Sequence, residues 1–428
     1  MTDDPRRAAE ATLNLNPAFQ GQHRTARACA LCSLALMTLA PALCGQAPGE
    51  GVRWSVAEEL RIGAVDGAGY DLSNPIQRVL PRDDGLLVIS QHNPPELRLF
   101  TAEGRYVRTI GRAGEGPGDY RSINRVAWRA DTLVVTDGAL NRVTWLGSDG
   151  RVVRTARISD REAPDPDIGI LLPEMLLHDG SVLAQAIPAD GAAVGAGQEA
   201  PLLRVSPSGG VLDTIGYVPS SRGPAQLRLV SRGAVHMVPG LPSRRAGWTQ
   251  RWTVADSGDL VVMVGGVGEQ GPDSYSVRAI DPISGDLRFE RTFRHEVSPG
   301  AVAAAAQAFE GWASRTVEML VRSGVNRSEA SRLVREALES PDLPEPARPL
   351  PVEGVRIGTD GRIWLRLHHE GGGQVWKVLD GRSGDPLGYL SLDRAYRFGA
   401  ATEDRVWFVD AGSPVDPPQV IQYRLVPG

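Results

Sequence analysis

The chain repeats itself: residues 76–109 reappear as residues 123–155, at an offset of 47 and then 46 residues. The identities in the first run pair Ile76, Arg78, Val79, Arg82 and Asp84 with Ile123, Arg125, Val126, Arg129 and Asp131. A repeat of this length, built from short β-type runs, is typical of the blades of a β-propeller. The repeat predicts an architecture and leaves the function open, because propellers bind, scaffold and catalyse alike.

Each repeat contains four β-type runs. In the first repeat they are residues 76–80, 86–90, 97–100 and 106–110, with a hairpin-type turn at 83–85. The second run is almost wholly apolar, as expected of a strand that is buried on both faces between neighbouring blades. Stacking several such sheets around an axis buries their apolar faces and leaves only short edges.

Four further blades follow from turn signals and strand runs, at residues 171–217, about 248–293, 355–392 and 405–426. The last blade lacks a strand, while residues 54–62 form an unassigned β-type run, so we expect the first strand to complete the last blade. The 49 Gly and 32 Pro suit a turn-dense chain. We predict an all-β, six-bladed β-propeller, although the ambiguous segment 227–238 leaves five or seven blades open.

Residues 298–350 break the β pattern. Ser298-Pro299 is a helix start, with Ser at the cap and Pro in the first turn. Asn326 and Glu329 form a start like a capping box for a second helix, which continues through Leu338. A run of prolines then leads back to blade five. We predict a helical hairpin inserted between blades four and five, which serves as a packing cover, a lid or a partner surface.

The N-terminus is a different kind of sequence. Arg24 and Arg27 precede the apolar run 28–43, and small residues follow to Ala47. This pattern predicts a signal peptide over residues 1–47 and an exported propeller over residues 48–428, in the periplasm or outside the cell. The apolar run is too short for a transmembrane span, so we expect none in the mature chain.

The three cysteines, Cys29, Cys32 and Cys44, all fall within this N-terminal segment. The mature chain is therefore expected to contain no cysteine, and lipid anchoring at Cys44 is the alternative to release. The sequence contains no basic block and no basic stripe interleaved with aromatics, so nucleic acid is not an expected partner. We expect a monomer.

Candidate site residues come from asking which positions share one face. The link between second and third strands emerges on the same side as the link between blades, so the ends of the second strands ring one mouth of the central channel. The aligned positions carry Gln91-His92, Asp137, Gln185, Val264, His368-His369 and Asp410. Carboxylates and histidines on one rim could bind a ligand or a metal, or do acid–base work. The competing interpretation is that the aspartates cap turns and the histidines are solvated.

The loop at residues 111–120 links blades one and two on that same face. It adds Arg112, Glu115, Asp119 and Tyr120 to the binding candidates. No helix and no Lys-Ser/Thr pair follow it, so it is not a nucleotide-binding motif. The motif from Gly114 to Tyr120 resembles the interblade loop of secreted six-bladed propeller proteins of bacteria, which are related to the NHL-repeat group. The resemblance covers most of residues 54–426 and implies the fold and export, but little about activity.

Two classes of function remain open. The first is a binding module without a cofactor, which holds an unknown protein, peptide or glycan. The second is a metal-dependent enzyme similar to the lactonases or amidating lyases of the NHL group, with calcium or zinc in the channel. No residue can be assigned as catalytic or metal-ligating, and no Gly-x-Ser-x-Gly or His-Glu-x-x-His motif occurs. We favour the binding module.

Overall fold

The computed structural model describes residues 51–63, 72, 74–158, 168–188, 199–207, 210–219, 227–231, 234–238, 251–265, 271, 273–339, 351–371, 373–413 and 416–428. The predicted signal peptide and the proline-rich segment 341–350 lie outside these residues.

The chain begins with β1 (Val52–Ile62) and then builds four-stranded antiparallel blades in chain order. Blade one contains β2 (Ile76–Pro81), β3 (Leu87–Gln91), β4 (Glu96–Phe100) and β5 (Tyr106–Ile110). Blade two contains β6 (Ile123–Arg129), β7 (Thr132–Asp137), β8 (Arg142–Leu146) and β9 (Val152–Arg157). Blade three contains β10 (Ile168–Leu176), β11 (Val182–Pro188), β12 (Glu199–Val205) and β13 (Val211–Pro219). The predicted repeat units are therefore blades.

The ambiguous segment is a separate two-stranded hairpin of β14 (Leu227–Ser231) and β15 (Ala234–Val238). Blade four follows with β16 (Trp252–Val254), β17 (Val261–Gly265), β18 (Ser274–Ile280) and β19 (Leu287–Arg294). After two helices, α1 (Pro299–Arg322) and α2 (Arg327–Glu339), blade five contains β20 (Val352–Ile357), β21 (Ile363–Leu367), β22 (Gln374–Leu379) and β23 (Pro386–Leu392). Blade six begins with β24 (Arg397–Ala401), β25 (Arg405–Asp410) and β26 (Gln419–Pro427). The fold is the predicted six-bladed propeller.

The apolar second strands are buried as predicted. All five residues of β3 are buried, and so are five of the six in β7. Neighbouring blades pack through these strands and the strands beside them. Between blades five and six the contact is aromatic, with Trp376 and Phe398 ring centroids 5.1 Å apart and Phe408 in the same cluster.

The ring closes through the first strand. β1 pairs antiparallel with β26, from Trp54 opposite Pro427 to Ile62 opposite Val420, and so completes blade six as predicted. It also pairs parallel with β23, which joins blades five and six into one eight-stranded sheet. This second pairing depends on Gly388, because a Cβ there would lie 2.0 Å from the carbonyl oxygen of Val52.

The helices begin where the sequence predicts, and α2 ends one residue beyond the predicted Leu338, while the predicted end of the insertion at residue 350 lies outside the described residues. The Ser298 side chain accepts from the backbone N–H of Ala301 at 3.1 Å and caps α1. Asn326 accepts from the N–H of Ser328 at 2.9 Å before α2. The two helices pack on each other through a cluster that includes Trp312. The insertion thus has a small apolar core of its own.

Neither described helix combines the length and the apolar character needed to cross a bilayer.

Candidate functional site

The structure puts the predicted rim residues at the ends of second strands, on one face. Asp137 and Asp410 are the last residues of β7 and β25, while His92 and His368 directly follow β3 and β21. His369 is exposed beside His368. This placement holds for four of the six aligned positions, whereas Gln185 lies in the middle of β11 and Val264 one residue before the end of β17. The contacts of each side chain decide what it does.

Asp137 caps turns. Its carboxylate accepts from the backbone N–H groups of Arg121 at 2.8 Å, Ser122 at 3.2 Å, Ala139 at 3.0 Å and Leu140 at 2.9 Å. The residue is 1% exposed. Four donors occupy its oxygens, so Asp137 holds the loops around it and has little capacity left for a ligand.

The loop at 111–120 is fixed by hydrogen bonds from Arg142 and by the buried Tyr120 side chain. The Arg142 guanidinium donates to the carbonyl oxygens of Glu115 at 2.9 Å and Gly116 at 3.1 Å, and also to that of Asp119. The Tyr120 side chain is fully buried in the core between blades one and two. The tyrosine is therefore an anchor of the loop and not a surface contact.

Two charged side chains of this loop reach solvent. Arg112 is 83% exposed and pairs with Asp119 at 3.1 Å. Glu115 is 62% exposed and pairs with Arg121. These exposed side chains can meet a partner at the rim, but exposed ion pairs of this kind contribute little to stability.

Of the rim histidines, His368 contacts Glu353 and His295. His368 Nδ1 lies 2.9 Å from Glu353 Oε1, and its backbone carbonyl accepts from His295 Nε2 at 2.6 Å. Burial lowers the pKa of His295, and the charges nearby lower it further. In the neighbouring blade six, Asp410 lies 3.6 Å from Arg394.

The described residues contain no group of three or more His, Cys, Asp or Glu side chains close enough together to hold a metal ion.

The centre of the ring contains arginines. Arg78 on β2 donates through Nε to the carbonyl oxygen of Asn124 on β6, at 3.0 Å. Arg397 on β24 donates to the carbonyl oxygens of Gln77 at 2.8 Å and Ile76. Each of these arginines reaches from the innermost strand of its own blade to that of the next blade.

Arg125 crosses the centre. The repeat equivalent of Arg78, it is 3% exposed and donates to the carbonyl of Val254 at 3.3 Å and the hydroxyl of Thr253 at 3.4 Å, both in blade four. Its Nε lies 3.8 Å from Glu174 of blade three. Three blades thus meet on one guanidinium.

The central cations outnumber the anions. The four arginines Arg78, Arg125, Arg356 and Arg397 share the centre with two carboxylates, Glu174 and Asp256. Arg78 and Arg125 interact electrostatically with both carboxylates, whereas the charged groups that act on Arg356 are other arginines. Of the four, Arg125 pairs with Glu174, while the hydrogen bonds of the other three go to backbone carbonyls. Within the described part of the chain, the centre therefore has an excess of positive charge.

Burial and the neighbouring charges both act on the pKa values of these groups. Burial, followed by the charge of Arg125, lowers the pKa of Arg78 to about 9 against the opposing effect of Asp256 and Glu174. Burial lowers the pKa of Arg356 to about 10, with Arg125 and Arg397 adding repulsion. Both guanidinium groups still carry their protons at pH 7. An anion between them would relieve this repulsion.

A small cavity lies among these groups. Its volume is about 30 Å³, room for about two water molecules or one small oxyanion. The polar residues in its wall are Arg78, Arg125, Thr253, Asp256, Arg356 and Thr359. Guanidinium forks bind carboxylates and tetrahedral oxyanions through paired hydrogen bonds. The cavity therefore has the size and the charge of an oxyanion site.

These central arginines are not among the residues predicted from the sequence to form a site, although two of them recur in the repeat. Arg78 and Arg125 are among the identities of the repeat. The third residue of an innermost strand faces either the channel or the next strand, and the repeat alone does not say which. Arg356 and Arg397 come from diverged blades and have no matching repeat signal.

A larger groove of about 340 Å³ lies on the opposite face, between blades two and three. Trp145, Arg154, Asp179, Ser181 and Leu212 are among its lining residues. The Arg154 guanidinium already covers the Trp145 ring at 4.9 Å, and Asp179 accepts from both the N–H and the hydroxyl of Ser181. The groove thus offers less uncompensated charge than the channel.

Comparison with known proteins agrees with the fold. Residues 72–143 match the model of a family described as a 6-bladed beta-propeller. No curated protein matches the chain.

Solved structures also resemble it. A putative exported protein from Bacteroides fragilis is 11% identical, with 88% of this chain and 95% of that chain covered and a TM-score of 0.44. A member of the DUF4221 family from Bacteroides vulgatus is 9% identical, with 87% and 98% covered and a TM-score of 0.47. A calcium-binding protein, regucalcin, from Agrobacterium tumefaciens is 10% identical, with 88% and 96% covered and a TM-score of 0.39. No function follows from likenesses at these identities and scores.

Proposed function

We propose that this chain, which belongs to the six-bladed β-propeller proteins, is a binding module whose central channel takes an oxyanion. The observation that supports this function is the group of four arginines with only two carboxylates among the described residues at the centre of the ring. A carboxylate or a small inorganic oxyanion is the ligand chemistry that fits.

Burying several arginine side chains at the centre of the ring costs free energy. Moving a charge out of water into a protein interior is unfavourable unless a partner of opposite charge compensates it. Among the described residues, Arg78 and Arg356 donate hydrogen bonds to backbone carbonyls. The carboxylates Asp256 and Glu174 compensate the charge of Arg78 in part, whereas the charged groups that act on Arg356 are other arginines. An oxyanion would supply both the missing charge and the missing acceptors.

The cavity volume limits the ligand. About 30 Å³ excludes a whole sugar or peptide from the cavity. A protein, peptide or glycan ligand would therefore enter through one acidic group and keep its remainder outside the channel. Arg112, Glu115 and His369 on the exposed rim are available to contact such a remainder.

Export is part of the proposal. The basic flank, the apolar run 28–43 and the small residues at Gly45 and Ala47 support removal of residues 1–47 and function in the periplasm or outside the cell. Expression of the full chain in a Gram-negative host tests this. A periplasmic product that begins near Pro48 is expected, and an uncleaved cytoplasmic product would contradict it.

The test of the channel is the thermal stability of the protein in acetate, phosphate and sulfate, each compared with chloride at matched ionic strength. We expect the oxyanions to raise the melting temperature in a saturable way, because a ligand that binds only the folded state stabilises it. Matched ionic strength removes general screening from the comparison.

Two variants localise the effect. Arg356→Met removes one channel charge, and because the Arg356 Nη1 donates to the adjacent Val355 carbonyl at 2.8 Å, the variant loses no hydrogen bond between blades among the described residues. Arg105→Met is the control, since Arg105 is 77% exposed and outside the channel. The oxyanion effect should disappear in the first variant and persist in the second. Equal responses in both would contradict a channel site.

A further inference from the structure

The chain uses arginine almost everywhere. Of its 46 Lys and Arg residues, Lys377 is the one lysine. The two residue types differ in one property that matters when they are buried. A guanidinium keeps its proton in proteins, whereas a buried ammonium group releases it readily and becomes a nucleophilic amine.

Lys377 lies in the interface between blades four and five. On β22 it stands opposite Leu365 of β21 and Tyr389 of β23, and it is 6% exposed. Its Nζ lies 3.8 Å from the ring centroid of Phe293 on β19 and 5.8 Å from that of Tyr389. Aromatic rings therefore form the surroundings of the amine.

Among the described residues, no carboxylate forms an ion pair with this amine. From the packed strands, Tyr389 and Tyr275 have pKa values that burial raises, so both are neutral at pH 7. Burial lowers the pKa of His295, and the charge of Lys377 is among the charges that lower it further. The carboxylate of Glu353 is bonded to His368 and Arg366.

Desolvation by this burial lowers the pKa of Lys377 to about 8. Near neutral pH a substantial part of the population is then the free amine, against a very small part for a solvated lysine. Contact with the faces of two aromatic rings attracts the ammonium form, but it supplies no countercharge.

We propose that Lys377 is a reactive amine that condenses with a small aldehyde or ketone to form an imine between blades four and five. The Nζ lone pair attacks the carbonyl carbon, a C–N bond forms, and the π pair of the carbonyl moves to oxygen. The nitrogen loses its protons, the oxygen gains them, and the oxygen leaves as water. Amine and carbonyl thus give imine and water, without an oxidant or a reductant.

The single lysine makes the test direct. The purified full chain and Nα-acetyl-lysine are exposed together to a limiting amine acylating reagent at pH 7.5. Peptide mapping by mass spectrometry separates Lys377 from the N-terminal amine. We expect Lys377 to react at least about tenfold faster than Nα-acetyl-lysine, because more of it is unprotonated. Its rate should level off above pH 8, while that of the free amino acid continues to rise.

A second measurement tests the carbonyl step. Glycolaldehyde with cyanoborohydride should leave a reduced adduct on Lys377 of the native protein, and the Lys377→Arg variant should carry none at that position. Urea-unfolded protein is the reference for an amine without its surroundings. Acylation slower than that of Nα-acetyl-lysine, or no adduct above the level in unfolded protein, would overturn the proposal and leave Lys377 as an ammonium group packed between rings.

Discussion

Arg78 Nε donates to the backbone carbonyl oxygen of Asn124 at 3.0 Å, which ties the innermost strand of blade one to that of blade two. Arg397 makes the same kind of contact from blade six to blade one. The central arginines therefore have two effects. Their hydrogen bonds hold neighbouring blades together, and their charges repel one another across the channel. Substitutions can separate the two effects.

Arg356→Met should stabilise the protein in buffer of low ionic strength without oxyanions. The variant removes a repelled charge, whose pKa burial lowers to about 10, and keeps every bond between blades. Replacing buried charge by an apolar side chain of similar size is expected to raise the free energy of unfolding by about 1–2 kcal/mol. Urea unfolding of the wild type and the variant measures this difference in the free energy of unfolding. A loss of stability would mean that Arg356 is compensated in the folded state.

Arg78→Met should behave differently, because it removes the repelled charge and also the hydrogen bond to Asn124. The loss of a bond from a charged donor costs about 1.5–3 kcal/mol and offsets the relief of repulsion. We expect urea unfolding to show a smaller gain than for Arg356→Met, or a net loss. A gain larger than that of Arg356→Met would contradict the role of Arg78 in joining blades.

Asp137→Ala should destabilise the fold by about 2–4 kcal/mol, since four backbone N–H groups lose their acceptor inside the protein. Asp149→Ala is the control, because this exposed turn aspartate accepts from one N–H, that of Arg151. Chemical unfolding of both variants checks the difference. Near-equal stabilities would return Asp137 to the candidates for ligand binding.

Glu59 should make ring closure sensitive to acid. It lies at a bulge in β1 and accepts from Gln422 Nε2 at 3.0 Å, Arg424 Nε at 2.6 Å and Arg405 Nε at 2.9 Å. The hydrogen bond from Gln422, followed by those from the two arginines, lowers the pKa of Glu59 to about 2. The carboxylate therefore stabilises the folded state above pH 4.5, and this contribution is lost as the pH falls from about 4.5 towards 2.

Glu59→Gln removes that contribution. Between pH 6 and pH 3 the wild type should lose about 1–2 kcal/mol more stability than the variant, after allowance for solvent screening of a partly exposed group. Glu290→Gln, an exposed carboxylate on β19, is the control. Urea midpoints at the two pH values give the comparison, and identical pH profiles for wild type and Glu59→Gln would refute the assignment.

Gly388→Ala should weaken the parallel pairing between β1 and β23. Its Cβ would meet the Val52 carbonyl oxygen at 2.0 Å, where the backbone itself must move. We expect a loss of about 2–4 kcal/mol, in the range for steric overpacking and lost strand contacts. Gly354→Ala in β20 is the matched control, because its Cβ would meet nothing within 4 Å. Thermal unfolding measures both, and equal effects would mean that the contact relaxes freely.

The sequence predicted the blades because each carries its own pattern of strand runs and glycine turns. It also predicted closure by the first strand, since an incomplete last blade leaves an unpaired edge. The parallel contact of β1 with β23 was not predictable, because it depends on how two blades meet around Gly388.

The candidate site was predicted only in part. The alignment put Asp137 at the rim, but its four backbone donors come from loops whose course the sequence does not specify. Tyr120 was expected near a ligand and is a buried anchor. The channel site depends on Arg356 and Arg397, which stand in diverged blades and meet Arg78 only when the ring closes.

The most direct test of the oxyanion channel is diffraction from crystals of the mature protein soaked in selenate, with data collected at the selenium edge. The account predicts an anomalous peak inside the ring, within hydrogen-bonding distance of the guanidinium groups of Arg78 and Arg356, that disappears in Arg356→Met. A channel without an anomalous peak in wild-type crystals, at selenate concentrations that label surface sites, would contradict it.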